Sequence, residues 1–97
     1  MFTTRPELLG TFGMVSSTHW LTSAAAMAIL EDGGNAFDAA VAGGLMLHVC
    51  EPHLNGPGGD MPAIVHDAKT GETKILCGQG TAPAGATIDH YKSEGLN

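Results

Sequence analysis

His48, Cys50, Glu51 and His53 fall within six positions, and all four side-chain types can bind zinc. Their spacing matches no standard ligand pattern, and Pro52 breaks any helix between them. The reading is therefore no metal site, with His48 placed near a helix C-terminus where the dipole favours it. The loop Gly56-Pro57-Gly58-Gly59-Asp60 has the glycines of a phosphate cradle. It lacks the Gly-Lys-Ser/Thr of a P-loop and the third spaced glycine of a dinucleotide fingerprint, and Asp60 would repel a phosphate. It reads as a tight loop leading into a hairpin. No Gly-x-Ser-x-Gly elbow is present, and no Ser or Cys has a credible base near it in sequence. Thr81, in Gly80-Thr81-Ala82-Pro83, reads as a turn residue, and His19, His66 and His90 are isolated.

The elements around these residues follow from periodicity and punctuation. Residues 1–12 read as an arm, and Gly13 to Ser16 as a short strand. Ser17 or Thr18 is expected to cap a helix running to about Glu31, with Leu21, Ala24, Ala25, Ala28 and Ile29 at helical spacing on one face. Gly33-Gly34 ends it, because glycine enters the left-handed region without steric cost. Asn35 caps a second helix from Ala36 to about Cys50, nearly apolar all round and so expected to be buried on several sides. Its stripe is Phe37, Val41, Leu45 and His48, with Ala40, Gly44 and Leu47 beside it. Gly43-Gly44 costs about 1 kcal/mol per residue relative to Ala, which close approach of another backbone would explain. Pro52 stops this helix. Ala63–His66 and Thr73–Cys77, around a turn at Ala68–Gly71, read as a β-hairpin. Thr87 or Asp89 caps a third helix. The expected order is an αα-hairpin followed by a β-hairpin, an α/β architecture.

Bulk properties narrow the function classes. Arg5, Lys69, Lys74 and Lys92 are the only lysines and arginines in a chain of net charge −6, and they are scattered. That excludes nucleic acid and anionic membrane surfaces as partners, since both require clustered cations. Ala39–Val49 is the most apolar stretch, and it is too short to span a membrane. No apolar run follows Arg5, so the N-terminal segment does not read as a secretory signal and a cytoplasmic location is expected. Without a C-x-x-C pair, Cys50 and Cys77 read as buried thiols rather than a disulfide. Apolar residues make up 43% of the chain, enough to exclude disorder, but only 5% are aromatic while 14 of 97 are Gly. A core built from Ala and Gly has little side-chain area to bury and needs close backbone packing or more chain.

Several segments taken in order add a resemblance. Gly13-Met-Val-Ser-Ser17 leads into a helix, followed by Gly33-Gly34-Asn35-Ala36-Phe37-Asp38-Ala39-Ala40-Val41-Ala42. Then come Glu51-Pro52-His53 with Gly56 and Gly58-Gly59, Val65-His66-Asp67-Ala68-Lys69-Thr70-Gly71, and Thr81-Ala82-Pro83. This succession, from about Gly13 to about Thr87, resembles the start of the γ-glutamyltranspeptidase family. The Gly-Gly-Asn-Ala-x-Asp-Ala-Ala-Val-Ala block joined to Glu-Pro-His is its most specific part.

The resemblance implies an N-terminal nucleophile hydrolase with an α/β/β/α sandwich, made as one precursor that cleaves itself into a large and a small subunit. The small subunit's new N-terminal Thr is the nucleophile, with its own amine as general base. It attacks a γ-glutamyl amide such as glutathione and passes the acyl group to water or an amine, with no cofactor. Residues 1–97 are then expected to be part of one domain, the N-terminal part of the large subunit. They lack the catalytic Thr and are inert and poorly stable alone, with an apolar face exposed on the second helix. The missing small subunit and a small-molecule amide are the implied partners. In glutamyl-specific members an Arg-Glu pair precedes Thr-Ala-Pro, and that Arg binds the substrate carboxylate. Here the matching positions are Gln79 and Gly80, so Gln79 is the residue expected near substrate, without the charge for a bidentate ion pair. Relatives on the same fold, such as cephalosporin acylases and oxamate amidohydrolases, process other amides. A reading of a different class is a small standalone interaction module, whose Ala/Gly helical hairpin self-associates or binds a partner helix.

Overall fold

The computed structural model describes residues 6–96, so Arg5 and the first residues of the N-terminal arm lie outside it. The elements are α1 (Trp20–Glu31), α2 (Ala36–Cys50), β1 (Met61–Asp67), β2 (Glu72–Gly78) and α3 (Ile88–Ser93). They fall into two compact units that divide after Pro57.

The first unit is the αα-hairpin. The α1 cap differs from expectation: it is His19, whose Nδ1 accepts from the Leu21 N–H at 3.2 Å. Ser17 instead donates to the His19 carbonyl at 2.7 Å and meets the Ser23 hydroxyl at 2.7 Å. Thr18 donates to Glu51 at the far end of α2. Both hydroxyls are thus committed elsewhere, and the imidazole is the acceptor left for the helix start. At the other end Gly33, at φ 92°, is the left-handed residue. The Gly34 N–H reaches back to the Ile29 carbonyl at 2.8 Å and the Gly33 N–H to that of Leu30 at 3.2 Å. This paired closure satisfies two carbonyls that the helix end leaves open. A Cβ on Gly34 would fall 2.8 Å from the Ile29 oxygen, so the turn excludes a side chain there.

Asn35 caps α2 as expected, and Asp38 completes a reciprocal box. The Asn35 side chain accepts from the Phe37 and Asp38 N–H groups at 2.8 and 3.1 Å, and Asp38 accepts from the Asn35 N–H at 3.0 Å. The two helices meet along Thr22 and Ala26 of α1 and Ala39 and Gly43 of α2, all buried. A Cβ built on Gly43 would sit 3.5 Å from both Ala26 Cβ and Thr22 Cγ2, ordinary contact distance. Space for a close backbone crossing is therefore not what Gly43 provides, and Gly44 faces open space.

The α1 seam does not follow the apolar spacing of its sequence. On α1, Leu21, Ala24 and Ala28 are exposed, and the seam runs through Thr22 and Ala26 instead. On α2, Phe37, Val41 and Leu45 are exposed, the exposed apolar face expected of the second helix in this segment alone. Both helices carry small or apolar residues on nearly every side, so periodicity does not select a face. The small residues Ala26 and Ala39 do select one, because their short side chains let the two helices meet. Residues 13–16 do not form a strand. Exposure alternates residue by residue through 13–19, as in an extended chain, but among the described residues no strand pairs with the segment.

The second unit is the antiparallel hairpin β1–β2, in register from Met61↔Gly78 through Ile64↔Ile75 to Asp67↔Glu72. Its strands extend beyond the expected runs at both ends. Pro62 is accommodated because a two-stranded sheet consists of edge strands. Asp67 organises the turn: its carbonyl accepts from the Gly71 N–H at 2.8 Å and its carboxylate from the Lys69 N–H at 2.9 Å. Gly71 takes φ 71°. Thr87 caps α3, its hydroxyl accepting from the His90 N–H at 3.2 Å. The helical hairpin followed by a β-hairpin is thus as expected.

Candidate functional site

Gln79 directly follows β2, in an exposed stretch without regular structure that continues through Gly80, Thr81, Ala82 and Pro83. Gly78 sets its exit from the strand: a Cβ there would lie 2.5 Å from the Met61 carbonyl oxygen, so the chain leaves the ladder at a position that admits no side chain. The Cys77 thiol donates to Gln79 Oε1 at 3.6 Å, which leaves the amide NH2 free to donate outward. Gln79 therefore presents neutral donors on a loop held at one end by the sheet.

Cys77 is exposed and Cys50 half-buried, both as free thiols, so neither is a core cysteine. Every residue of the hairpin's second strand is exposed, Cys77 with it. Glu51 is engaged by Thr18, a tie between the start of α1 and the end of α2. His48 sits in the last turn of α2. Among the described residues no three His, Cys, Asp or Glu side chains converge as a metal-holding group.

One imidazole–hydroxyl pair does form. His66 Nδ1 and Thr73 Oγ1 are 2.9 Å apart, facing each other across the hairpin in register. Neighbouring residues alone did not reveal it, since the two positions meet only when the strands pair. The pair is exposed and hydrogen-bonded to no third side chain among the described residues, so it has the geometry of a cross-strand contact rather than a nucleophile with an oriented base. Ser17 and Ser23 also touch, but two hydroxyls supply no base. An apolar groove of about 230 Å³ lies in the first unit, lined by Met14, Val15, Ala26, Leu30, Ala39 and Ala40 among others. It offers packing surface, with the Ser16 hydroxyl its one side-chain polar group and no base among the lining residues.

Two features escaped sequence reasoning. His19 gave no signal as a cap because imidazole is not among the usual capping residues. Thr22 is 2% exposed, and its hydroxyl has no hydrogen-bond partner among the described residues. A Thr among alanines in a helix carries no sequence mark of that kind.

A likeness to known proteins extends over almost all of this geometry. The sequence profile of the gamma-glutamyltranspeptidase family matches residues 22–97. The glutathione hydrolase proenzyme of Bacillus subtilis subsp. natto is 44% identical over 86 residues, which cover 89% of this chain and 15% of that protein. The oxamate amidohydrolase proenzyme of Klebsiella pneumoniae is 35% identical over 86 residues, 89% of this chain and 16% of its own length. The crystal structure of Helicobacter pylori gamma-glutamyltranspeptidase superposes with a TM-score of 0.76 at 38% identity, covering 89% of this chain and 24% of that one. The helical hairpin and β-hairpin are accordingly part of an N-terminal nucleophile hydrolase fold. The chain belongs to the gamma-glutamyltranspeptidase family. It spans 15% of the length of the glutathione hydrolase proenzyme it matches.

Proposed function

We propose that this chain supplies the N-terminal part of the large subunit of a self-processing amide-cleaving enzyme, a γ-glutamyltransferase or hydrolase acting on γ-glutamyl amides such as glutathione. The observation that carries the reading is the 44% identity to a glutathione hydrolase proenzyme across 89% of the chain. In this reading the small subunit of the same precursor contributes the N-terminal Thr nucleophile, activated by its own amine. Backbone N–H donors stabilise the oxyanion. Water or an amine then resolves the acyl-enzyme. The helical hairpin and the hairpin β1–β2 serve as scaffold, and the chain by itself is inert.

Gln79 favours a second reading, hydrolysis of a non-glutamyl amide. A neutral amide stands where glutamyl-specific members carry Arg, and an oxamate amidohydrolase proenzyme is 35% identical over 86 residues. A neutral donor replaces a charge-assisted pair with an ordinary hydrogen bond, a loss of about 1 kcal/mol or more in affinity for a carboxylate. The test is the kcat/KM of the complete precursor, after self-processing, on a γ-glutamyl anilide and on oxamate. Preference for the anilide supports the first reading, and preference for oxamate the second. In the first case Gln79→Arg raises affinity for the γ-glutamyl substrate with little change in kcat. Cleavage of neither amide overturns the first reading and removes oxamate as the substrate of the second.

A further inference from the structure

Asn55-Gly56 is a pair with chemistry of its own that neither the packing nor the amide-cleaving reading uses. It follows α2 in the first unit, after a turn in which the Leu54 and Asn55 N–H groups both donate to the Glu51 carbonyl, at 3.0 and 3.1 Å. The Asn55 side chain is turned back onto α2, and its Nδ2 donates to the Gly44 carbonyl at 3.5 Å. That length is at the outer limit for such a bond, so it orients the amide without locking it. The other half of the pair is unrestrained. Among the described residues the Gly56 N–H donates to no backbone carbonyl, and a Cβ built on Gly56 would meet no atom within 4 Å. Glycine has no side chain to shield its nitrogen. Only C, Cα and Cβ of Asn55 separate that nitrogen from Asn55 Cγ, the spacing that closes a succinimide ring. Asparagine is among the chemically labile side chains for this reason.

We propose that Asn55-Gly56 is a spontaneous modification site, where Asn55 is converted to aspartate and isoaspartate and the loop is thereby released from α2. The Gly56 backbone nitrogen gives its proton to hydroxide and attacks Asn55 Cγ. A C–N bond forms, the Cγ–Nδ2 bond breaks, and the leaving nitrogen takes a proton from water and departs as ammonia, which regenerates the hydroxide. Water then opens the succinimide at either carbonyl. One opening gives aspartate, and the other gives isoaspartate, whose backbone runs through the side chain. Water is the only reactant consumed, and nothing is oxidised or reduced. Either product has lost the NH2 donor. Aspartate sets a carboxylate oxygen against the Gly44 carbonyl oxygen, so an acceptor faces an acceptor where a hydrogen bond had been. The tie between the loop and α2 is then gone.

Ageing the complete protein at mildly alkaline pH tests this, with peptide mass spectrometry at intervals and electron-transfer fragmentation to separate aspartate from isoaspartate. The Asn55 peptide gains the mass difference between NH2 and OH. The Asn35 peptide does not, because Ala36 follows Asn35 and the Asn35 side-chain oxygen is held by the Phe37 and Asp38 N–H groups. Gly56→Ala, whose added Cβ meets open space, slows the conversion at least about tenfold, since its methyl shields the attacking nitrogen. Asn55→Asp reproduces one product, and its amides through residues 51–57 exchange with deuterium faster than those of the unsubstituted protein. Asn55 that stays intact while a free Leu-Asn-Gly-Pro peptide converts overturns the inference, as does conversion that Gly56→Ala leaves unchanged. Equal exchange in Asn55→Asp and the unsubstituted protein overturns the release of the loop. None of these readouts uses amide cleavage, so a protein that cleaves no amide and still converts at Asn55 refutes the functional reading and leaves this one standing.

Discussion

Thr22→Val is expected to stabilise the helical hairpin. Thr22 is 2% exposed, and its hydroxyl has no hydrogen-bond partner among the described residues, while its methyl group faces Gly43 across the seam. Valine keeps that methyl and replaces the hydroxyl with a second one of similar size. Burying an unpaired hydroxyl costs about 1–3 kcal/mol, and valine and threonine have similar helix propensities. The expected gain is therefore about 1–2 kcal/mol, allowing for some overpacking by the added methyl. In a unit this small each kcal/mol moves the thermal midpoint by roughly 4–8 °C. Far-UV ellipticity followed through urea and thermal titrations of the chain reads the change. Thr22→Ala serves as the control, because it removes the hydroxyl and also the packed methyl, and it should gain less or lose stability. A Thr22→Val variant destabilised by more than about 1 kcal/mol would refute the reasoning, since it would mean that the hydroxyl makes a bond worth keeping.

The two glycine sites should part company in the same assay. Gly43→Ala adds a Cβ at 3.5 Å from its neighbours and is expected to gain up to about 1 kcal/mol from helix propensity. Gly34→Ala drives a Cβ to 2.6 Å from Ile29 Cγ2 and 2.8 Å from the Ile29 oxygen, and is expected to lose at least about 1 kcal/mol. Asn35→Ala removes the acceptor of two N–H bonds at the start of α2 and should cost about 0.5–2 kcal/mol, seen as lost helicity.

What could be read from sequence was local, and what could not was long-range. Asn35, Gly33, Gly71 and Thr87 mark their caps and turns because each acts on its own neighbours, and the structure uses all four so. The α1 seam was not legible from Leu21 and Ala24, because a helix apolar on every side leaves the choice to the partner. That choice is made by Ala26 and Ala39, whose small size shows in the sequence but whose burial does not. Gly13–Ser16 has the composition of a strand and an extended course, yet pairing requires a neighbour, and none lies among the described residues. Gln79 was legible as a site residue only through the family resemblance. Its geometry adds a Cys77 contact and an exposed position, and no property of the side chain by itself marks it. The His66–Thr73 pair depended on strand register, which the turn at Asp67–Gly71 sets.

The central claim, that this chain is the leading part of a self-processing amide-cleaving precursor, is tested most directly by mass spectrometry with N-terminal sequencing of the protein isolated from its native source. The account predicts two chains, the larger containing these residues and the smaller beginning with Thr. A single chain of 9.9 kDa, with no second chain accompanying it, would contradict it.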